Sequence, residues 1–149
     1  MHIEVSTVID SPIEEVFRVQ GPDHYRNHPR WDPEVISLEP VDEDEIGLGA
    51  RFVITRQVMG RPQTHTFEVV EWDPPRRMAI EASEPGFQLR ITSEAAALAA
   101  DRTRLTLAGD ARLGGIRGLV APLMKRRLTR ETAAKLVRIK QLVESGEGR

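Results

Sequence analysis

Residues 116–144, IRGLVAPLMKRRLTRETAAKLVRIKQLVE, carry one periodicity from end to end. Met124, Leu128, Thr132, Leu136, Ile139 and Val143 recur every three or four positions, the spacing that gathers side chains on one face of an α-helix. The stretch predicts a single long amphipathic helix. Pro122 belongs in its first turns or at a kink there, because proline lacks the amide donor and its ring collides with the preceding turn. Everything upstream is shorter, so this helix is the one large element able to cover an apolar sheet face.

The segment His2 to Asp10 alternates, with Ile3, Val5, Thr7 and Ile9 on one side of a strand. Ser11-Pro12-Ile13-Glu14 then has the look of a capping box: Ser11 as N-cap, Pro12 in the first helical position, Glu14 reaching back. A short helix with Val16, Phe17 and Val19 should follow and end at Gly21-Pro22, with a second short helical turn over Asp23 to Arg30. Glu34 to Pro40 reads as an edge strand, since the closing proline cannot donate to a ladder. Asp42-Glu43-Asp44-Glu45 is expected as a solvated loop.

Arg51 to Val58 alternates with Phe52, Ile54 and Val58 in phase; Met59-Gly60-Arg61-Pro62 reads as a turn and Thr64 to Trp72 as the returning strand. Asp73-Pro74-Pro75 reverses the chain again, Arg77 to Ala82 runs back, and Pro85-Gly86 has the residue order of a type II turn. Phe87, Leu89 and Ile91 alternate, whereas Ala95 to Ala100 has helical propensity. The distance from Pro85-Gly86 to Asp101 nonetheless suits one long strand and a turn. Thr103 to Ala111 closes the series with Leu105 and Leu107 in phase, and Gly114 and Gly115 break the pattern. The expected class is α+β: a curved antiparallel sheet of about seven strands around the long C-terminal helix, with two short helices after the first strand.

A chain of 149 residues, 40% apolar and 30% charged, fits one globular domain over residues 1–149. Its formal net charge of -2 supplies no global field toward nucleic acid or anionic lipid. The basic cluster Lys125, Arg126, Arg127 and Arg130 adjoins Glu131 and has no interleaved aromatics, so it reads as a solvated helix face and no nucleic-acid partner is expected. Cysteine is absent, which removes disulfides and thiolate chemistry and fits a reducing compartment. No apolar run approaches the ~20 residues that span a bilayer, and the N-terminus enters an alternating segment instead of a signal-peptide core. A cytoplasmic location and a monomer or homodimer are the expectation.

The order of these elements, with Asp10-Ser11-Pro12-Ile13-Glu14-Glu15-Val16-Phe17, Trp31-Asp32-Pro33, Gly49-Ala50-Arg51-Phe52 and Val69-Val70-Glu71-Trp72-Asp73-Pro74-Pro75-Arg76-Arg77, resembles the START-like (SRPBCC) superfamily, the polyketide cyclase/dehydrase-like helix-grip domains. The resemblance covers essentially the whole chain. It implies a cavity between sheet and helix that takes an apolar small molecule, and it places Tyr25, His28 and Trp31 near the entrance. These motifs mark turns, caps and packing, so they do not select a function.

The cavity lining expected from strand parity is Phe52, Ile54, Phe67, Val69, Met78, Ile80, Phe87, Leu89 and Leu105, with Met124 and Leu128 from the helix. Arg56 shares parity with Ile54, and His65 with Phe67, so a guanidinium and an imidazole enter the same space. Thr132, counted in the expected lining, and Lys135 lie on the apolar helix face: Thr132 bonds its own i-4 carbonyl and Lys135 reaches the rim, or, as an equal alternative, either one faces the bound molecule. Glu71, in phase with Val69, reads as structural, and Trp31 as a core anchor. His2, His24, His28 and His65 lack the third ligand of a zinc site, and Pro29 argues against one helix presenting both His24 and His28, so no metal and no cofactor are expected. Nucleophile elbows, phosphate loops and dinucleotide fingerprints are missing.

Three functions follow in order. The first is binding of a lipid, quinone or aromatic polyketide-like molecule. The second is a polyketide aromatase or cyclase working by acid-base aldol closure and dehydration, with His65 and Arg56 as its best pair. The third is a protein or RNA interaction module.

Overall fold

The computed structural model describes residues 1–42 and 45–148, so Glu43 and Asp44 of the expected acidic loop lie outside the described residues. The elements run β1 (His2–Ile9), α1 (Ile13–Gln20), α2 (His24–Trp31), β2 (Val35–Pro40), β3 (Arg51–Val58), β4 (Arg61–Asp73), β5 (Arg77–Glu84), β6 (Phe87–Ala99), β7 (Arg102–Leu113) and α3 (Ile116–Ser145). All seven strands join one antiparallel sheet in the order β1-β7-β6-β5-β4-β3-β2. Consecutive strands are neighbours from β2 to β7, and β1 pairs with β7, which leaves β1 and β2 as the edges. The expected helix-grip architecture is present.

The alanine-rich end of β6 stays extended because its partners demand it: Ala95 pairs with Leu105 and Ala97 with Thr103. Tertiary pairing here overrides helix propensity, which is a weak prior. α3 rests on β1 and β7 and touches α1 and α2. Lys140 Nζ donates to the Val8 carbonyl at 2.8 Å and Glu144 Oε1 accepts from the Asp10 amide at 3.0 Å, fastening the helix to the first strand. Leu136, Ile139, Leu142 and Val143 are buried there with Ile9, Val16, Val19, Trp31, Leu105 and Leu107. A second cluster lines the same sheet face further along: Phe52, Ile54, Phe67, Val69, Met78, Ile80 and Ala82, with Phe17 and Ile46.

Four local expectations are corrected. Helix α1 begins one residue late: Pro12, at ψ 149, is the cap and its carbonyl accepts from the amides of Glu15 and Val16, so Ser11 makes no side-chain cap. The Ser11 carbonyl instead accepts the Thr103 hydroxyl at 2.8 Å. The β3–β4 reversal is tighter than the four residues read as a turn, because Met59 at φ 53 and Gly60 at φ 79 make it alone, the positive pair that suits a two-residue hairpin. Arg61 and Pro62 are already strand.

A bulge between Val69 and Glu71 breaks the parity of β4. Glu71 therefore leaves the face of Val69 and pairs on the other side of the sheet with Arg77 and Arg90, a structural role. Finally, Pro29 does not divide α2. The helix runs through it from His24 to Trp31, and His24 and His28, one turn apart, share its buried face.

Candidate functional site

The sheet face toward α3 is apolar over most of its area. Phe52 pairs with Phe67, Val69 with Ile80, Ile80 with Ile91 and Ala82 with Leu89, so the inward rows of four strands lie side by side. Phe52 and Phe67 stack at 5.9 Å between ring centres, and Phe17 meets Trp72 edge-on at 5.4 Å. Of the expected lining, Phe52, Ile54, Phe67, Val69, Met78 and Ile80 are together and buried, and Phe87 and Leu89 pack half-buried at the edge of this cluster. Leu105 lies elsewhere, fully buried beneath Leu136 and Ile139. Met124 and Leu128 are half-buried on α3. Thr132 donates to the Leu128 carbonyl at 2.7 Å, spending its hydroxyl on its own helix.

One corner of this apolar face is charged. Asp32 follows α2 directly, its amide closing the helix on the His28 carbonyl at 3.0 Å, and Trp31 is buried just before it. Only 3% of the Asp32 side chain is exposed. Its Oδ1 accepts from Arg56 Nη2 at 3.2 Å and from the Glu34 amide at 3.3 Å, while its Oδ2 lies 3.3 Å from Lys135 Nζ and 3.7 Å from His28 Nε2. Three elements, α2, β3 and α3, thus meet on one carboxylate. Burial alone would push the Asp32 pKa up, but the positive charges of Lys135 and Arg56 outweigh it and hold the group well below the usual carboxylate range. Burial pushes Lys135 down, opposed by Asp32.

Behind Asp32 runs a chain of imidazoles. The Gln20 carbonyl accepts from His24 Nδ1 at 2.8 Å, so His24 Nε2 is left to accept from His28 Nδ1 at 2.9 Å. Two neutral rings hold two protons for three gaps, and the gap without one is the longest, from His28 Nε2 to Asp32. Burial, then the neighbouring His28, lowers His24 to about 3, and burial also lowers His28. His28 stacks on Trp31 at 5.2 Å, and His24 meets Phe52 at 5.3 Å. This cluster was not legible in the sequence; its one signal is Trp31-Asp32-Pro33, which marks a corner whatever it binds.

A second polar pair stands on the same face. His65 pairs with Ile54, and Arg56 with Gln63, so Arg56 and His65 are diagonal neighbours across β3 and β4, within reach of long side chains. Glu84 Oε1 lies 3.0 Å from His65 Nδ1 and accepts its proton, which leaves Nε2 as the basic nitrogen. Phe87 stacks on the ring at 4.7 Å. Both parity expectations, Arg56 and His65, point to this face. Groups of three or more His, Cys, Asp or Glu residues suited to a metal are not found among the described residues.

Solved structures share this architecture. A protein from Thermus thermophilus superposes with a TM-score of 0.81 at 21% identity, covering 98% of this chain and 99% of that one. A START superfamily protein from Mycobacterium smegmatis gives 0.80 at 12% identity and 97% of both chains. The Zhui aromatase/cyclase from Streptomyces sp. R1128 gives 0.77 at 22% identity, covering 97% of this chain and 93% of that one. At such identities the likeness establishes the fold alone. No curated protein sequence matches the chain. The family described as polyketide cyclase / dehydrase and lipid transport matches residues 1–144, nearly the whole chain, and the protein belongs to that family.

Proposed function

We propose that the domain binds a hydrophobic or amphipathic small molecule, of the lipid, quinone or aromatic polyketide kind, between the sheet and α3. The observation that carries this reading is the unequal packing of the helix. Its C-terminal half seals β1 and β7, whereas Met124 and Leu128 further up the same row stay half-buried and the inward residues Phe87, Leu89 and Ile91 are not fully covered. Burying a ligand against such a wall contributes about 25 cal/mol per Å² of apolar area, and the few polar groups give it orientation. The same reading takes the protein as a cytoplasmic monomer or homodimer that works without a cofactor. Titration with N-phenyl-1-naphthylamine should show saturable fluorescence, and Ile80→Trp, which fills the wall, should weaken it at least about tenfold. Absence of saturable uptake in the wild type overturns the reading.

One observation favours aromatase or cyclase activity as a second reading. His65 is oriented by Glu84 and flanked by Arg56, the arrangement of a general base beside a cation that can hold a developing enolate. His65→Ala and Glu84→Gln are expected to abolish cyclisation of a poly-β-ketone while a product-like aromatic still binds. Unchanged turnover removes the pair from any mechanism.

A further inference from the structure

Arg56 and Lys135 bring two positive charges to the corner described above, and Asp32 brings one negative charge. The two imidazoles behind it are held neutral at pH 7 by burial, and the remaining acid near Lys135, Glu131, is engaged by Arg127 at 3.0 Å. One positive charge is therefore left over at the edge of an apolar wall. The carboxylate is also engaged on both oxygens: Asp32 Oδ1 takes Arg56 and the Glu34 amide, and Oδ2 takes Lys135. The donors are not all engaged, since Arg56 Nε is buried without an acceptor among the described residues and Lys135 carries further N–H groups beyond the one toward Asp32.

We propose that this corner is a subsite for one negative charge, so that the ligand of choice is an amphiphile ending in a single oxygen anion seated between Arg56 and Lys135. The inference rests on the binding reading above and adds the charge of the ligand to it. An apolar body lies along Phe52, Ile54 and Phe67 while the anion meets the surplus cation. A neutral ligand of the same shape leaves that charge and the Arg56 Nε donor uncompensated as water is expelled, which is the costlier outcome. A cationic ligand adds to the surplus. With side chains 24% and 27% exposed, Arg56 and Lys135 remain reachable by a ligand entering the cavity. A carboxylate and an enolate satisfy the corner alike.

Displacement of N-phenyl-1-naphthylamine tests this with matched pairs at pH 7.5: dodecanoate against dodecan-1-ol, and 2-hydroxy-1,4-naphthoquinone, an enolate at this pH, against 1,4-naphthoquinone. The anion of at least one pair should bind about tenfold or more tightly than its neutral partner, and the pair that shows it tells carboxylate from enolate. Lys135→Met should collapse that ratio toward one and Lys135→Arg should keep it, with circular dichroism confirming that each variant is folded. Should Lys135→Met fail to fold, the wild-type ratio and its loss between low and high salt decide the matter. Equal affinity within both pairs, or a ratio insensitive to both the methionine variant and salt, overturns the charged subsite and leaves the binding reading standing. No displacement by any compound, with no uptake of the probe itself, overturns both.

Discussion

Lys135 Nζ lies 3.3 Å from Asp32 Oδ2, so the long helix is tied by charge to the corner between α2 and β2, and the same carboxylate takes Arg56 from β3. Removing the shared anion strands two cations, whereas removing one cation leaves Asp32 with Arg56 and the Glu34 amide. Breaking a buried pair costs ~3–5 kcal/mol, and partial exposure of the cations lowers this here. Asp32→Ala should therefore destabilise the fold by about 2–3 kcal/mol, and Lys135→Met by about 1 kcal/mol. Urea unfolding at pH 7.5 checks the order, and equal losses would contradict it.

Stability should fall on acidification before ordinary carboxylates titrate. Burial holds His24 at about 3 in the folded chain against 6.5 unfolded, so between these values the unfolded chain takes up a proton that the folded one refuses. The contribution is present in full above pH 6.5 and drains away as pH falls toward 3, at up to ~1.4 kcal/mol per pH unit. His28 is shifted in the same direction, and so is Asp32, whose share is lost below its ordinary value of 3.8. Unfolding free energies at pH 7.5, 6 and 5 should decline steadily, and His24→Phe should flatten the slope. A level profile in the wild type would show that the rings are not buried neutral.

The chain just beyond α3 is held by side chains of α2. Asn27, fully buried, donates through Nδ2 to the carbonyls of Val19 at 3.2 Å and Gly148 at 3.0 Å, while Arg26 Nη2 reaches the same Gly148 carbonyl at 2.8 Å. Asn27→Ala leaves buried carbonyls short of a donor and should cost about 1–3 kcal/mol. Gly148→Ala should destabilise as well, because a Cβ there would sit 2.8 Å from Val19 Cγ2. Thermal melting of both variants measures this.

The two halves of α3 should answer differently to the same kind of change. Leu119 and Leu123 are each 81% exposed, so replacing either with serine is expected to shift stability by less than about 0.5 kcal/mol. Ile139, fully buried against β1 and β7, should cost about 2–5 kcal/mol on truncation to alanine. Comparable effects at Leu123 and Ile139 would mean that the first half of the helix is covered in solution.

The periodicities of the chain determined its elements. The alternation in His2–Ile9, Arg51–Val58 and Phe87–Ile91 and the three-to-four spacing from Met124 to Val143 follow from covalent geometry, which fixes where successive side chains point in a strand or a helix. Proline and glycine at the reversals then left an antiparallel sheet closed by one helix. Arg56 and His65 on the inward face followed from the same parity.

Tertiary structure decided whatever depended on distant partners. The bulge after Val69 turned Glu71 outward to Arg77 and Arg90, because two arginines on neighbouring strands were available there. Asp32, His28, Arg56 and Lys135 carry no mutual spacing in sequence; they meet because α2, β3 and α3 pack at one corner, and burial among them sets their charge. Periodicity is a property of neighbouring residues, whereas electrostatic surroundings are assembled by the whole fold. The sequence thus determined the apolar wall, and only packing placed an unbalanced charge at its edge.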